Sequence, residues 1–380
     1  MNKLTIFLSL ISAFIYAQVP QIDTFSPTFG EVDDLITLTG NNFSSISSNN
    51  SVFFGSARAT VISASSTQII VKVPKSATHD FISVSTSGLS AQTKVAFKVV
   101  NPLISNNNIT GNNFGNNIVI PSVGSQSSAK DMTIAVGDLD LDGKVDVVVN
   151  SSGLVRVHRN LMNSEGTISN MSFDSGTDFT INGNPHSVVV KDLNSDGKLD
   201  IVTGGSTISI LINNSSGSGV ISFENKIDLS SGGDVVRLAD VNNDGLIDVL
   251  TTTSSSLNVF LNNSAGGVLS FSPVQSINLS STGFVGLGYG DLNNDGWIDV
   301  VVSKSGTVEV LYNNYETNSN FTSAGTLSGG GNSSIIGDFD NDGDNDIYSI
   351  GSIFENTFSS GVLASTDFTE FTNAFEEGAS

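Results

Sequence analysis

A nine-residue acidic pattern recurs five times in this chain, and no other feature limits its fold so strongly. The copies are Asp138-Leu-Asp-Leu-Asp-Gly-Lys-Val-Asp146, Asp192-Leu-Asn-Ser-Asp-Gly-Lys-Leu-Asp200, Asp240-Val-Asn-Asn-Asp-Gly-Leu-Ile-Asp248, Asp291-Leu-Asn-Asn-Asp-Gly-Trp-Ile-Asp299 and Asp338-Phe-Asp-Asn-Asp-Gly-Asp-Asn-Asp346. Successive copies start 54, 48, 51 and 47 residues apart. A period of this length is that of one supersecondary unit, which must stack on its neighbours to bury both faces.

Oxygen donors fall at positions 1, 3, 5 and 9. Position 1 is Asp138, Asp192, Asp240, Asp291 or Asp338, and position 3 is Asp140, Asn194, Asn242, Asn293 or Asp340. Position 5 is Asp142, Asp196, Asp244, Asp295 or Asp342, and position 9 is Asp146, Asp200, Asp248, Asp299 or Asp346. Gly at position 6 permits a sharp turn, which leaves the backbone carbonyl of position 7 free to coordinate. That residue is Lys144, Lys198, Leu246, Trp297 or Asp344, and its side chain varies freely. Carboxylate and amide oxygens in this number favour Ca²⁺ over the more rigid Mg²⁺, so about five calcium ions are expected. One copy alone would read as an acidic β-turn. An EF-hand is excluded because its bidentate Glu at position 12 is here Val149, Thr203, Thr251, Val302 or Ser349. The apolar residue at position 2 is expected to pack under each loop.

The flanks of the loops read as strands, as in Thr133-Ile-Ala-Val136 and Val147-Val-Val149. Each repeat then continues through a segment such as Leu154-Val-Arg-Val157, Ile208-Ser-Ile-Leu211, Leu257-Asn-Val-Phe260 or Val308-Glu-Val-Leu311. Asn-Asn pairs follow at 213–214, 262–263 and 313–314, and then a Phe-bearing segment containing Phe173, Phe223, Phe271 or Phe321. Counting that segment as a strand gives four strands in about 50 residues, the size of a propeller blade. The repeats, over roughly 110–380, resemble the FG-GAP/VCBS calcium-bearing blades of integrin α-chain propellers and secreted bacterial proteins. The Phe-Gly and Gly-Ala-Pro dipeptides behind the name are absent, which favours the bacterial type. The resemblance implies a β-propeller over 126–380, calcium in its loops, and an extracellular protein or glycan partner. Integrin-type propellers close with seven blades, so five loops are expected to form an incomplete ring.

Residues 18–100 alternate apolar and polar side chains, as in Leu35-Ile-Thr-Leu-Thr39 and Gln68-Ile-Ile-Val-Lys-Val73, and read as a small β-sandwich. Phe25-Ser-Pro27, Gly30, Ile36-Thr-Leu-Thr-Gly-Asn-Asn-Phe43 and Val52-Phe-Phe-Gly55 make this segment similar to IPT/TIG immunoglobulin-like domains. It departs from them at Asp33, where the family usually has a second glycine. Such domains serve as spacers or interaction modules. Residues 101–125 are rich in Asn, Ser and Gly and read as a linker and first strand. The expected fold is therefore all-β: an immunoglobulin-like sandwich followed by a propeller of about five four-stranded blades.

Lys3 precedes an apolar run from Leu4 to Tyr16, and Ala17 closes it, the layout of a secretory signal peptide over 1–17. No stretch approaches the length of a membrane span. The 380 residues hold 15 Lys+Arg against 37 Asp+Glu, a net charge of −22, which argues against nucleic acid and anionic lipid as partners. Cysteine is absent, removing disulfides and thiol chemistry. Of the three histidines, His79 and His158 read as surface residues and His186 as a loop residue. No Gly-x-Ser-x-Gly or His-Glu-x-x-His motif occurs, and no catalytic residue is assigned. The chain reads as a secreted or cell-surface calcium-binding protein acting in adhesion or in glycan or protein binding. The alternatives are a secreted polysaccharide hydrolase or lyase, whose carboxylate pair would come from distant blades, and the N-terminal part of a larger surface protein.

Overall fold

Alternation in 18–100 and long buried runs thereafter place the chain in two kinds of β-structure. The computed structural model describes residues 18–372 except 78–79, 101–133, 152, 163–167, 170, 266–267, 316–319 and 341. The signal segment 1–17, the linker 101–125 and His79 lie outside the described residues.

The first domain is a sandwich. One sheet orders Gln21–Ser26, Leu35–Asn41, Gln68–Lys72 and Thr60–Ala64; the other orders Ala57–Arg58, Asn50–Phe54, Ile82–Thr86 and Leu89–Gln92. Both are antiparallel. Strand period two sends Ile36, Leu38, Ile69 and Val71 inward from one sheet and Val52, Phe54, Ile82 and Val84 from the other. Phe97 closes this core edge-on to Phe54, with ring centroids 5.0 Å apart. Asp33 adopts φ 73°, so it takes the left-handed backbone that a glycine would supply.

Five four-stranded antiparallel meanders follow. In the first, Ile134–Gly137, Asp146–Ser151, Leu154–His158 and Thr177–Thr180 pair in chain order. The second holds Pro185–Lys191, Asp200–Gly205, Ile208–Leu211 and Ile227–Leu229. The third holds Val235–Ala239, Asp248–Thr252, Ser256–Phe260 and Gln275–Asn278. The fourth holds Gly286–Gly290, Asp299–Lys304, Thr307–Asn313 and Phe321–Ser328. The fifth holds Ser334–Gly337, Asp346–Ser349, Ser352–Asn356 and Phe368–Thr372. Each acidic loop joins the first two strands of its blade. The first strands of successive blades pack side by side as the innermost elements. They approach closely: a Cβ on Gly288 would lie 2.9 Å from the Ser334 carbonyl oxygen.

The four strands of a blade are not those read from the sequence. Phe173, Phe223 and Phe271 form only single bridges, to Asn160, Asn213 and Asn262. The outer strand comes after them, beginning at Thr177, Ile227 or Gln275. In the fourth and fifth blades a Phe-bearing segment, from Phe321 and from Phe368, itself forms the outer strand. The histidines also differ from expectation. His158 ends a strand and is fully buried, and His186 lies within strand Pro185–Lys191.

Blade stacking explains the composition of the second strands. Asp200–Gly205 and Asp248–Thr252 are buried at every residue, because a neighbouring blade covers each face. Leu139 packs with Val188, Ile201 and Leu211 of the second blade, and Leu193 with Val236 and Val249 of the third. Val241 and Leu292 repeat this placement in the next two interfaces.

The sandwich is seated on the acidic-loop side of the blades. Phe53 is 3% exposed and joins the core of Leu139 and Leu199. The Ser90 N–H donates to the Gly245 carbonyl (2.5 Å), and the Ser90 and Ser195 hydroxyls lie 2.7 Å apart. Lys191 Nζ donates to Gln92 Oε1 at 2.7 Å. Desolvation at this junction lowers the Lys191 ammonium below the ordinary lysine range, against the pull of Asp80 and Asp240.

Candidate metal centres

The nine-residue loops fold around their own side chains. In loop two, Asp192 Oδ1 accepts the Asp196 N–H at 3.0 Å and Asp192 Oδ2 accepts the Gly197 N–H at 2.9 Å. Asn194 Oδ1 accepts the Asp196 N–H, and Asp196 Oδ1 accepts the Lys198 N–H. Loops one, three and four repeat these bonds residue for residue. In loop five, Asp340 Oδ1 accepts from Asp342 and Asp342 Oδ1 from Asp344. Position 6 has positive φ throughout, from 83° at Gly143 to 103° at Gly343. Position 4 is also left-handed, with φ between 55° and 60° at Leu141, Ser195, Asn243 and Asn294. The sequence reading had given position 4 no task.

Position 9 does two jobs at once. Asp200 Oδ2 accepts the Leu193 N–H at 2.9 Å, closing the loop, and Asp200 Oδ1 accepts the Asn213 N–H at 2.8 Å, tying in the third strand. Asp146, Asp248, Asp299 and Asp346 make the same pair of bonds with Leu139 and Asn160, Val241 and Asn262, Leu292 and Asn313, and Phe339 and Asn356. All five are at most 2% exposed.

That asparagine is a functional residue the sequence reading did not identify. Asn213 donates from one amide nitrogen to the Leu199 carbonyl in its own loop and to the Leu139 carbonyl in the preceding blade, both at 2.9 Å. Asn262, Asn313 and Asn356 bridge their blades likewise. Three of the four stood in view at the end of the third strand. What hid the role is that one acceptor lies 64 to 74 residues away in sequence.

The carboxylates converge in two loops in particular. Asp138, Asp140 and Asp146, and separately Asp338, Asp340 and Asp346, each bring three ligand oxygens within 4.8 Å of one another, and either group could hold a metal ion. Asp142 and Asp342, at position 5, stand outside these groups. Asp142 instead meets Lys144 Nζ at 2.7 Å, while Arg159 Nε donates to Asp140 at 2.9 Å. In loops three and four the position-3 amides of Asn242 and Asn293 donate to Asp244 and Asp295, at 2.9 Å each.

Burial sets the electrostatics. Desolvation raises the carboxyls of Asp146, Asp192, Asp240 and Asp299 from 3.8 to about 7 and that of Asp248 to about 8. Asp200 is pushed well above the ordinary range for the same reason, and Asp138, Asp291 and Asp346 upward. Accepted backbone N–H bonds oppose the rise, and neighbouring aspartates add to it. Such groups are costly as bare anions and favour a bound cation.

Fold and loops together define a class: an immunoglobulin-like sandwich carrying an array of acidic-loop blades. The IPT/TIG domain model matches residues 20–108, and the FG-GAP-like repeat model matches 138–203, 240–302 and 291–349, taking in all five loops. The chain is an IPT/TIG domain followed by FG-GAP-like repeats. No curated protein matches it. Among solved structures it is similar to an auxiliary nutrient binding protein from Bacteroides ovatus ATCC 8483, at 15% identity and TM-score 0.34, covering 93% of this chain and 85% of that one. It is also similar to an Agrocybe aegerita lectin that recognises non-reducing terminal N-acetylglucosamine, at 22% identity and TM-score 0.42, covering 63% and 65%. A third is the exotype rhamnogalacturonan lyase YesX, at 12% identity and TM-score 0.38, covering 93% and 64%. At these identities and scores none of the three bears on what this chain does.

Proposed function

We propose that this chain is a calcium-stabilised binding protein of the cell exterior, exported by residues 1–17 and acting in adhesion or in glycan or protein contact. The observation that carries the calcium assignment is the convergence of three carboxylate oxygens within 4.8 Å in loops one and five, together with the burial of the position-9 aspartate in all five, whose charge needs a cation to offset it. Each loop would take one Ca²⁺ through its side-chain oxygens at positions 1, 3, 5 and 9 and the carbonyl of position 7. In loops one, three and four, binding would draw position 5 away from its present partner, Lys144, Asn242 or Asn293. Bound calcium supplies positive charge and cross-links the turn; it is structural in this reading.

The loop acids are poorly suited to proton transfer, because most already accept backbone N–H bonds. Among the described residues no helix is long and apolar enough to cross a membrane. The enzymatic alternative finds its best pair in His186 and Asp234, whose Nδ1 and Oδ1 lie 2.8 Å apart at the start of the second and third inner strands. Calorimetry of the purified chain with calcium and with chelator tests the metal assignment, and calcium-independent melting of the blades would overturn it. N-terminal sequencing of exported protein should begin at Gln18. Assaying polysaccharides for cleavage as well as retention separates binding from catalysis.

A further inference from the structure

We propose that the cleft between the fourth and fifth blades is a subsite for a neutral pyranose ring; this rests on the glycan-binding reading above and gives it a location. The cleft is a cavity of about 150 Å³ lined by Asn293, Asp295, Trp297, Tyr312, Asn314 and Val362, among others.

The internal repeat supplies its own control. At position 7 the other loops carry Lys144, Lys198, Leu246 and Asp344. The residue before the bridging asparagine is Arg159, Ile212, Leu261 or Glu355 in the other blades. The scaffold is thus built four times without an aromatic ring at either place. Only the fourth blade has both, Trp297 and Tyr312, and both line the same cavity. Both rings pack in part against the neighbouring cores, but the other blades stack without an aromatic ring at either place.

The loop fixes the backbone beneath the indole, where Asp295 Oδ1 accepts the Trp297 N–H at 2.8 Å. The opposite wall comes from the fifth blade, where Leu363 is buried at 2% and Val362 stands 70% exposed at the rim. Indole and phenol faces take up the C–H face of a sugar ring, while the Asn314 amide in the lining offers a hydrogen-bonding group to its hydroxyls. A net charge of −22 disfavours a uronate.

Trp297 is the only tryptophan in the chain, so at constant calcium its emission reports on the fourth loop and the cavity it lines. The full chain in calcium is titrated with methyl glycosides of neutral hexoses and N-acetylhexosamines, with methyl glucuronide as the charged control. A saturable change with a neutral glycoside and none with the uronide is expected. Trp297→Leu and Tyr312→Leu install the third blade's residues and keep the position-7 carbonyl, so calcium-dependent melting should persist. Calorimetry should then show binding weakened about tenfold or more. No saturable response from any neutral glycoside, a stronger response to the uronide, or unweakened binding in both variants would overturn the subsite. Retention of a polysaccharide by both variants as by the parent would sink the subsite while leaving the glycan-binding reading intact. Loss of calcium-dependent melting in the parent would sink the general reading.

Discussion

Loops two, three and four share their nine-residue pattern with loop five, yet the two settings differ physically. Leu193, Val241 and Leu292 at position 2 are fully buried, whereas Phe339 is 44% exposed. The strand after loops two and three is buried throughout, while Asp346–Ser349 keeps a partly exposed residue. Desolvation pushes Asp200 well above the ordinary carboxyl range and Asp248 to about 8; Asp346 is raised as well, for the same reason. A loop's environment is therefore supplied largely by the blade that follows it. That blade receives the position-2 side chain in its core and sends its asparagine back to the position-2 carbonyl.

Calcium withdrawal should give the largest effect. A free concentration 100-fold above Kd contributes about 2.7 kcal/mol per site, so several sites approach the whole stability of a typical domain. Calorimetry with chelator should show the blade transition lowered while that of residues 18–100 persists. A blade transition that does not move would break the comparison at its root. Next in size is the position-2 contrast. Leu193→Ala should cost about 2–5 kcal/mol in denaturant melts, and Phe339→Ala within about 1 kcal/mol. Equal costs would show that the following blade is not what buries these side chains.

The asparagine bridge should follow. Asn262→Ala leaves two buried carbonyls without their donor and should cost about 1–3 kcal/mol. Asn160 donates to Val145 in its own loop, so Asn160→Ala should cost less. The last test is of pH. In metal-free protein the raised carboxyls keep protons that the unfolded chain releases near 3.8, so the native state binds more protons across that interval. Stability of the metal-free blades should therefore fall as pH rises from about 5 through about 7–8, the range of the folded values of Asp146, Asp240, Asp299 and Asp248. Saturating calcium should flatten that slope, which melts across the pH range would read directly.

Much of the fold was legible because its signals are local. The Asp and Gly spacing specifies a turn within nine residues, and that turn forms with the same bonds in four separate places. Alternation in Leu35–Asn41 likewise announced a half-buried strand. The outer strands were missed because Thr177–Thr180 is largely exposed and weakly apolar, while Phe173 a few residues earlier drew the assignment to itself. His158 looked like a surface residue because its burial comes from strands on either side of it and from no property of its own segment.

By itself, then, the sequence determined the class of fold, the five loops and the oxygen donors in them, since each depends on residues a few positions apart. Only the tertiary structure decided which loops are deeply desolvated, where the asparagine amides reach, how Phe53 and Ser90 seat the sandwich on the loops, and that Trp297 and Tyr312 share one cavity. Those contacts join residues tens of positions apart. Each is set by how one blade packs on the next, and no local pattern encodes that.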